Sequence, residues 1–228
     1  MDAWFENTVT GRYVAEKECA FFRQYCDSRA GTVIRHGGRW IMPSENLIGV
    51  PADVEMSDSR MAWADGSADM LLLAHRHETA EGMQVLQEAC RVLKPGGRLL
   101  LTGFNPHSLW RFSAWFDGNI LPYREYCLPL PVLKQRLQTL GLRVEYGKFM
   151  VYVPAVGNEK ALKFWQFLEK AGDRWWPQCA AVYGLVLVKT AVELKFLHEE
   201  QYAGDGMVVA LSAAKVAESR TGRLNELA

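Results

Sequence analysis

The chain has 228 residues, 49% of them hydrophobic, with 26 basic residues balancing 26 acidic ones. That is enough apolar material for one sizeable core, and a formal charge of zero argues against a broad nucleic-acid or anionic-membrane surface, a local patch aside. The five cysteines are scattered with no C-x-x-C pair, which argues against a disulfide framework or a zinc site and suits a reducing compartment.

The opening stretch MDAWFENTVTGRY carries acids and has no basic segment followed by an apolar one, so no signal peptide is expected. The longest apolar run, 179–188, is shorter than the ~20 residues of a membrane span. A cytoplasmic protein without a membrane span is the expectation. Residues 14–25 predict a helix with Ala15, Cys19 and Phe22 on one face. Short strands are predicted at 31–34, 46–50 and 52–56, with a turn at His36-Gly37-Gly38.

Asp65-Gly66-Ser67 is a turn signal before ADMLLLA (68–74), a run that suits a strand buried on both faces. Thr79 is the expected N-cap of a helix over 80–93 with Met83, Leu86, Cys90 and Leu93 inward. Pro95-Gly96-Gly97 is the expected stop. RLLLT (98–102) follows as another buried strand, so strand, helix, sharp stop and strand make a crossover unit with parallel strands. A short helix is expected over 132–140 and a strand over 142–152. The amphipathic helix 161–170 should turn Ala161, Phe164, Trp165 and Leu168 inward, and a strand should run over 181–189. The aromatic stretch 109–116 reads as a helix packed on the sheet edge or a homodimer contact ahead of a lid over a hydrophobic substrate. Trp175-Trp176-Pro177 reads as core and turn. The layout is an N-terminal helical segment (1–30), an α/β domain (31–192) and a C-terminal tail (193–228).

Met61-Ala62-Trp63-Ala64-Asp65-Gly66-Ser67-Ala68-Asp69, then His75 and Glu78, then Arg91-Val92-Leu93-Lys94-Pro95-Gly96-Gly97 form an ordered set. It resembles the second half of a class I S-adenosylmethionine-dependent methyltransferase. Gly103-Phe104-Asn105-Pro106 and Ala171 to Pro177 resemble a bacterial branch of that family, carrying the likeness over about 31–189. The resemblance implies a single-domain, doubly wound α/β sheet of seven strands, with one antiparallel strand near the C-terminal end. It also implies S-adenosylmethionine as cofactor and a small-molecule or protein methyl acceptor. By the same likeness Gly37 and Gly38 would line the methionine end, Ser57 and Asp58 the adenine, Ala74 and His75 the pocket floor, and Asn105 the acceptor side.

The departures lie upstream. Arg35 and His36 stand where the family's glycine-rich loop has an acid and small residues, and Glu45 and Glu55 are the acids nearest to the ribose-binding position. Residues 38–53 must hold both a first crossover and a second strand, while a full crossover needs at least ~10–12 residues. The alternative reading is therefore a degenerate methyltransferase fold that serves as an interaction or regulatory module. No metal site is expected at His75-Arg76-His77-Glu78, because spacing supplies no third ligand.

Overall fold

The structure is a computed structural model that describes residues 2–26, 30–41, 47–50, 56–110 and 124–190. In chain order the elements are α1 (Asp2–Asn7), α2 (Val9–Tyr25), β1 (Val33–His36), β2 (Leu47–Val50), β3 (Ala68–Ala74), α3 (Gly82–Val92), β4 (Leu93–Phe104), α4 (Leu130–Thr139), β5 (Leu142–Met150), α5 (Glu159–Trp165), α6 (Phe167–Trp175) and β6 (Val182–Lys189). Residues Met1–Thr190 make up one compact unit, to which α1 and α2 belong.

The sheet runs β2-β1-β3-β4-β6-β5. The first four strands are mutually parallel, and β6 enters antiparallel between β4 and β5. This is the α/β architecture the sequence implies, with its one antiparallel strand near the C-terminal end. Six strands are described where seven are implied, and most of the strand expected at 52–56 falls outside the described residues.

Alternation along the strands feeds two cores, because successive side chains point to opposite faces. Met70, Leu72, Ala74, Leu100 and Phe104 face α2 with Phe21 and Phe22. Leu71, Leu73, Leu99 and Leu101 face α3 and α4 with Leu86, Ala89 and Leu133. An apolar layer on each side explains why β3 reads as a continuous apolar run, and its boundaries match the expected strand.

The motif residues that end the crossover unit bind its pieces together. Arg91 donates to the carbonyls of Met61 and Trp63, both at 2.9 Å, and to Glu88 and Asp65. Lys94 reaches Asp69 at 2.7 Å, and Asp69 also accepts from the Thr32 amide. Lys94 and that amide hold the Asp69 carboxyl below the usual range despite partial desolvation.

Several local expectations are corrected. Helix α3 starts at Gly82 rather than after Thr79, with no side-chain cap. It ends at Val92, so Leu93 to Gly97 already belong to β4, which is irregular between its pairings with Ala68 and Met70. Met83 and Cys90 are only half-buried, while Val85 and Ala89 take the inward positions. The expected helix 161–170 is two helices joined at Gln166, and its inward face is misplaced. Phe164 points to solvent, whereas Leu162 and Gly172 face in. The reason lies at Gly172, where the missing Cβ lets the Tyr152 ring lie against the backbone and fixes the helix's rotation. Trp175 and Trp176, expected in the core, are exposed.

Helix α2 crosses the sheet at a comparable close approach. A Cβ at Gly184 of β6 would stand 2.7 Å from the buried Phe21 ring. Gly184→Ala is therefore expected to cost about 1–3 kcal/mol through overpacking, seen as a lower urea midpoint at unchanged slope.

Candidate functional site

In an open, mostly parallel sheet, ligands bind outside the carboxyl ends of the strands. There the chain turns sharply after β1: Gly37 and Gly38 have φ of +74° and +58°, a conformation that costs glycine little. A Cβ at Gly38 would stand 2.8 Å from the Ala74 Cβ, and one at Gly37 would strike the Arg76 side chain. The loop thus packs directly on the end of β3 and its following turn.

On one side of this loop lies a polar cleft of about 330 Å³ bordered by Ser57, Asp58, Ser59, Arg76, Thr79 and Glu81. Asp58 is fixed between the buried His36, 2.8 Å from Nδ1, and Arg76, at 3.3 Å. Ser57 pairs with Ser59 at 3.0 Å. His36 Nε2 and Arg76 Nε are buried without a hydrogen-bond partner among the described residues. The structure therefore brings Gly37, Gly38, Ala74, Ser57 and Asp58 to one neighbourhood.

On the other side the crevice is filled by rings. Phe5 of α1 stacks on Trp40 with centroids 4.0 Å apart and lies 5.1 Å from the His75 ring and 6.2 Å from Phe104. Phe104 in turn meets Trp110, whose indole N–H donates to the Val153 carbonyl at 2.8 Å. Of the aromatic stretch 109–116, Leu109 and Trp110 are described; the rest lies outside the described residues.

His75 and Asn105 sit at the expected strand ends, but their side chains are engaged elsewhere. Asn105 donates to the carbonyls of Gln178 and Ala180 and accepts from the His107 amide, closing the turn after β4. His75 lies under the rings, with Nε2 at 2.6 Å from Glu18 and Nδ1 at 2.7 Å from Glu78. Glu45 and Glu55 fall outside the described residues. Among the described residues no group of three or more His, Cys, Asp or Glu could hold a metal ion, and no helix is long and apolar enough to cross a membrane.

Residues 43–101 match the model of a methyltransferase domain family, a match that begins past the Gly37-Gly38 loop. Solved structures share the fold. A SAM-dependent methyltransferase from Thermotoga maritima superposes with a TM-score of 0.55 at 13% identity, covering 83% of this chain and 94% of that one. A chain of the complex between the Haloferax volcanii Trm112 methyltransferase activator and a proposed methyltransferase gives 0.52 at 12% identity over 83% and 96%. A SAM-dependent methyltransferase from Archaeoglobus fulgidus gives 0.51 at 17% identity over 77% and 94%. No curated protein matches significantly. The chain shares its fold with these SAM-dependent methyltransferases.

Within that methyltransferase fold, the residues that sequence reasoning missed are Glu18, His36 and Arg76. Glu18 carried a signal, since it falls on the apolar face of α2 between Val14 and Phe22 and is fully buried. A charge on such a face calls for a buried partner. Burial alone would lower the His75 pKa, but Glu18 and Glu78 outweigh it and push it up to about 10. His77 goes the other way, to about 4, because its burial dominates; its Nε2 lies 2.8 Å from the Tyr183 hydroxyl.

A histidine raised from 6.5 to about 10 adds stability that is whole below pH 6.5 and is lost as pH rises through 10. Unfolding free energy should accordingly fall across that window by up to about 1.4 kcal/mol per pH unit. Glu18→Gln should flatten the dependence in urea titrations at stepped pH, and Glu18→Ala should cost about 3–5 kcal/mol at pH 7 by unpairing a buried ion.

Proposed function

We propose that the chain binds S-adenosylmethionine and transfers a methyl group to a small-molecule or protein acceptor. The observation that carries this reading is the convergence of the positive-φ Gly37-Gly38 loop and the polar Ser57–Asp58 cleft at the carboxyl ends of β1 and β3. The Arg76 side chain borders this cleft and fits a ligand with acceptor atoms. Gly37 and Gly38 give a backbone edge for the methionine end, and Ser57 and Asp58 serve the adenosine end. Ala74 and the backbone of His75 form the floor between them. Asn105 holds the turn on the acceptor side.

A bound sulfonium supplies an already activated methyl group, so the chain's residues have chiefly to align the acceptor and keep water out. The rings of Phe5, Trp40 and Phe104 are suited to the second task, since they make the region beside His75 apolar.

Those same rings favour a second reading, a methyltransferase fold that no longer catalyses and serves as an interaction or regulatory module, with a second copy or another protein as partner. Asp58 is already engaged by His36 and Arg76, and Phe5 and Trp40 occupy crevice space.

Isothermal titration of the purified chain with S-adenosylmethionine and S-adenosylhomocysteine separates the two. Saturable micromolar binding is expected, weakened at least about tenfold by Asp58→Ala, a loss of about 1.4 kcal/mol, with the circular dichroism unchanged. Absence of binding at millimolar cofactor in a chain shown to be folded rejects the cofactor reading and leaves the module.

A further inference from the structure

Four large apolar side chains stand out at the surface: Phe164 (67% exposed), Phe167 (58%), Trp175 (69%) and Trp176 (54%). They are the most exposed large hydrophobics among the described residues, and all belong to α5, α6 and the residue that follows. The chain turns at Gln166, where the hydrogen bonds are i→i−3, and the Phe164 and Phe167 rings meet across the turn with centroids 6.3 Å apart. At about 100° per residue, Lys160, Lys163 and Phe164 share the outward face of α5, and Phe167, Lys170 and Arg174 that of α6, with Trp175 at its end. All four cations are exposed, and none forms an ion pair among the described residues.

The acids of the same two helices are directed elsewhere. Glu169 points inward and accepts from the amides of Tyr152 and Val153 at 3.0 and 3.3 Å. Glu159 meets Arg12 of α2 at 3.8 Å. Asp173 lies beside the Tyr152 phenol and helps raise its pKa, after burial. What remains on the outward face is aromatic and positive.

We propose that this face docks on an anionic lipid bilayer, with the Phe and Trp rings at the headgroup level and the four cations on lipid phosphates. Trp and Phe interspersed with Lys and Arg is the composition of helices that lie in a membrane interface. A protein partner fits it less well, because lysine is depleted in the centre of protein interfaces. A second copy of the chain fits worst. In a two-fold dimer this face meets itself, and the cations oppose one another. The surface lies on elements apart from the Gly37-Gly38 loop and does not depend on the methyltransferase reading.

The full chain is tested by flotation with phosphatidylcholine vesicles, with and without phosphatidylglycerol, at low and high salt. Binding is expected only with phosphatidylglycerol, with release by high salt. Phe164→Ala with Trp175→Ala, and separately Lys163→Glu with Lys170→Glu, should each cut the bound fraction at least about tenfold. These side chains are exposed, so circular dichroism and cofactor titration should be unchanged. The proposal is overturned by absence of flotation with phosphatidylglycerol, or by equal flotation of the variants. A dimer that Phe164→Ala with Trp175→Ala dissociates, in a chain that ignores vesicles, would overturn it in favour of a second copy.

Discussion

The carboxyl end of the sheet depends on one buried contact, the His75 imidazole held between Glu18 and Glu78. Each carboxylate has a second task. Glu78 accepts the Phe104 amide at the end of β4, and Glu18 accepts the Trp40 indole N–H beyond the β1 loop. Four segments distant in sequence, α2, the ends of β3 and β4, and the loop after β1, are thereby fixed to one ring. Desolvating such groups is expensive, and removing one of them leaves an uncompensated charge. Helix α2 is therefore not an appendage that can swing away from the sheet. The φ of +56° at His75 is unusual for a residue with a Cβ, and it persists because both ring nitrogens are held.

That anchorage shapes the space around it. With α2 fixed, α1 follows through Thr8, whose hydroxyl caps α2 by accepting from the Gly11 amide. Phe5 is then delivered onto Trp40 and the His75 ring. The first crossover is short, and α1 and α2 cover the sheet face that carries Met70, Leu72 and Phe104. On the opposite side of the Gly37-Gly38 loop Asp58 and Arg76 border a cleft instead of a ring stack, with His36 buried behind Asp58.

How much of this was legible in the sequence follows from how local each cause is. β3 could be read to the residue because burial on both faces leaves an unbroken apolar run, and the Gly37-Gly38 turn because glycine announces a positive φ. Arg91, Lys94 and Asp69 were visible as a motif, but their work of bonding carbonyls and an amide was not. The rotation of α5 and α6 was misread because it is set by the Tyr152 ring against Gly172, a contact that periodicity does not contain. Asp58 was picked for its position, yet its partners His36 and Arg76 come from two other segments. Glu18 was the most available miss: a carboxylate on the buried face of an amphipathic helix signals a partner without naming His75.

The neutral composition does not say where the charges lie. A formal charge of zero counts every acid as surface, while this fold draws many of its acids inward. Glu18 and Glu78 hold His75, Asp69 accepts the Thr32 amide, Glu88 the Met61 amide, and Glu169 the amides of Tyr152 and Val153. A carboxylate accepts hydrogen bonds and so can serve backbone N–H groups at irregular points of the chain; lysine and arginine have no acceptor and reach outward on long stems. On α5 and α6 Glu169 turns inward onto the amides of Tyr152 and Val153, while Lys163, Lys170, Arg174 and the rings of Phe164, Phe167 and Trp175 face outward.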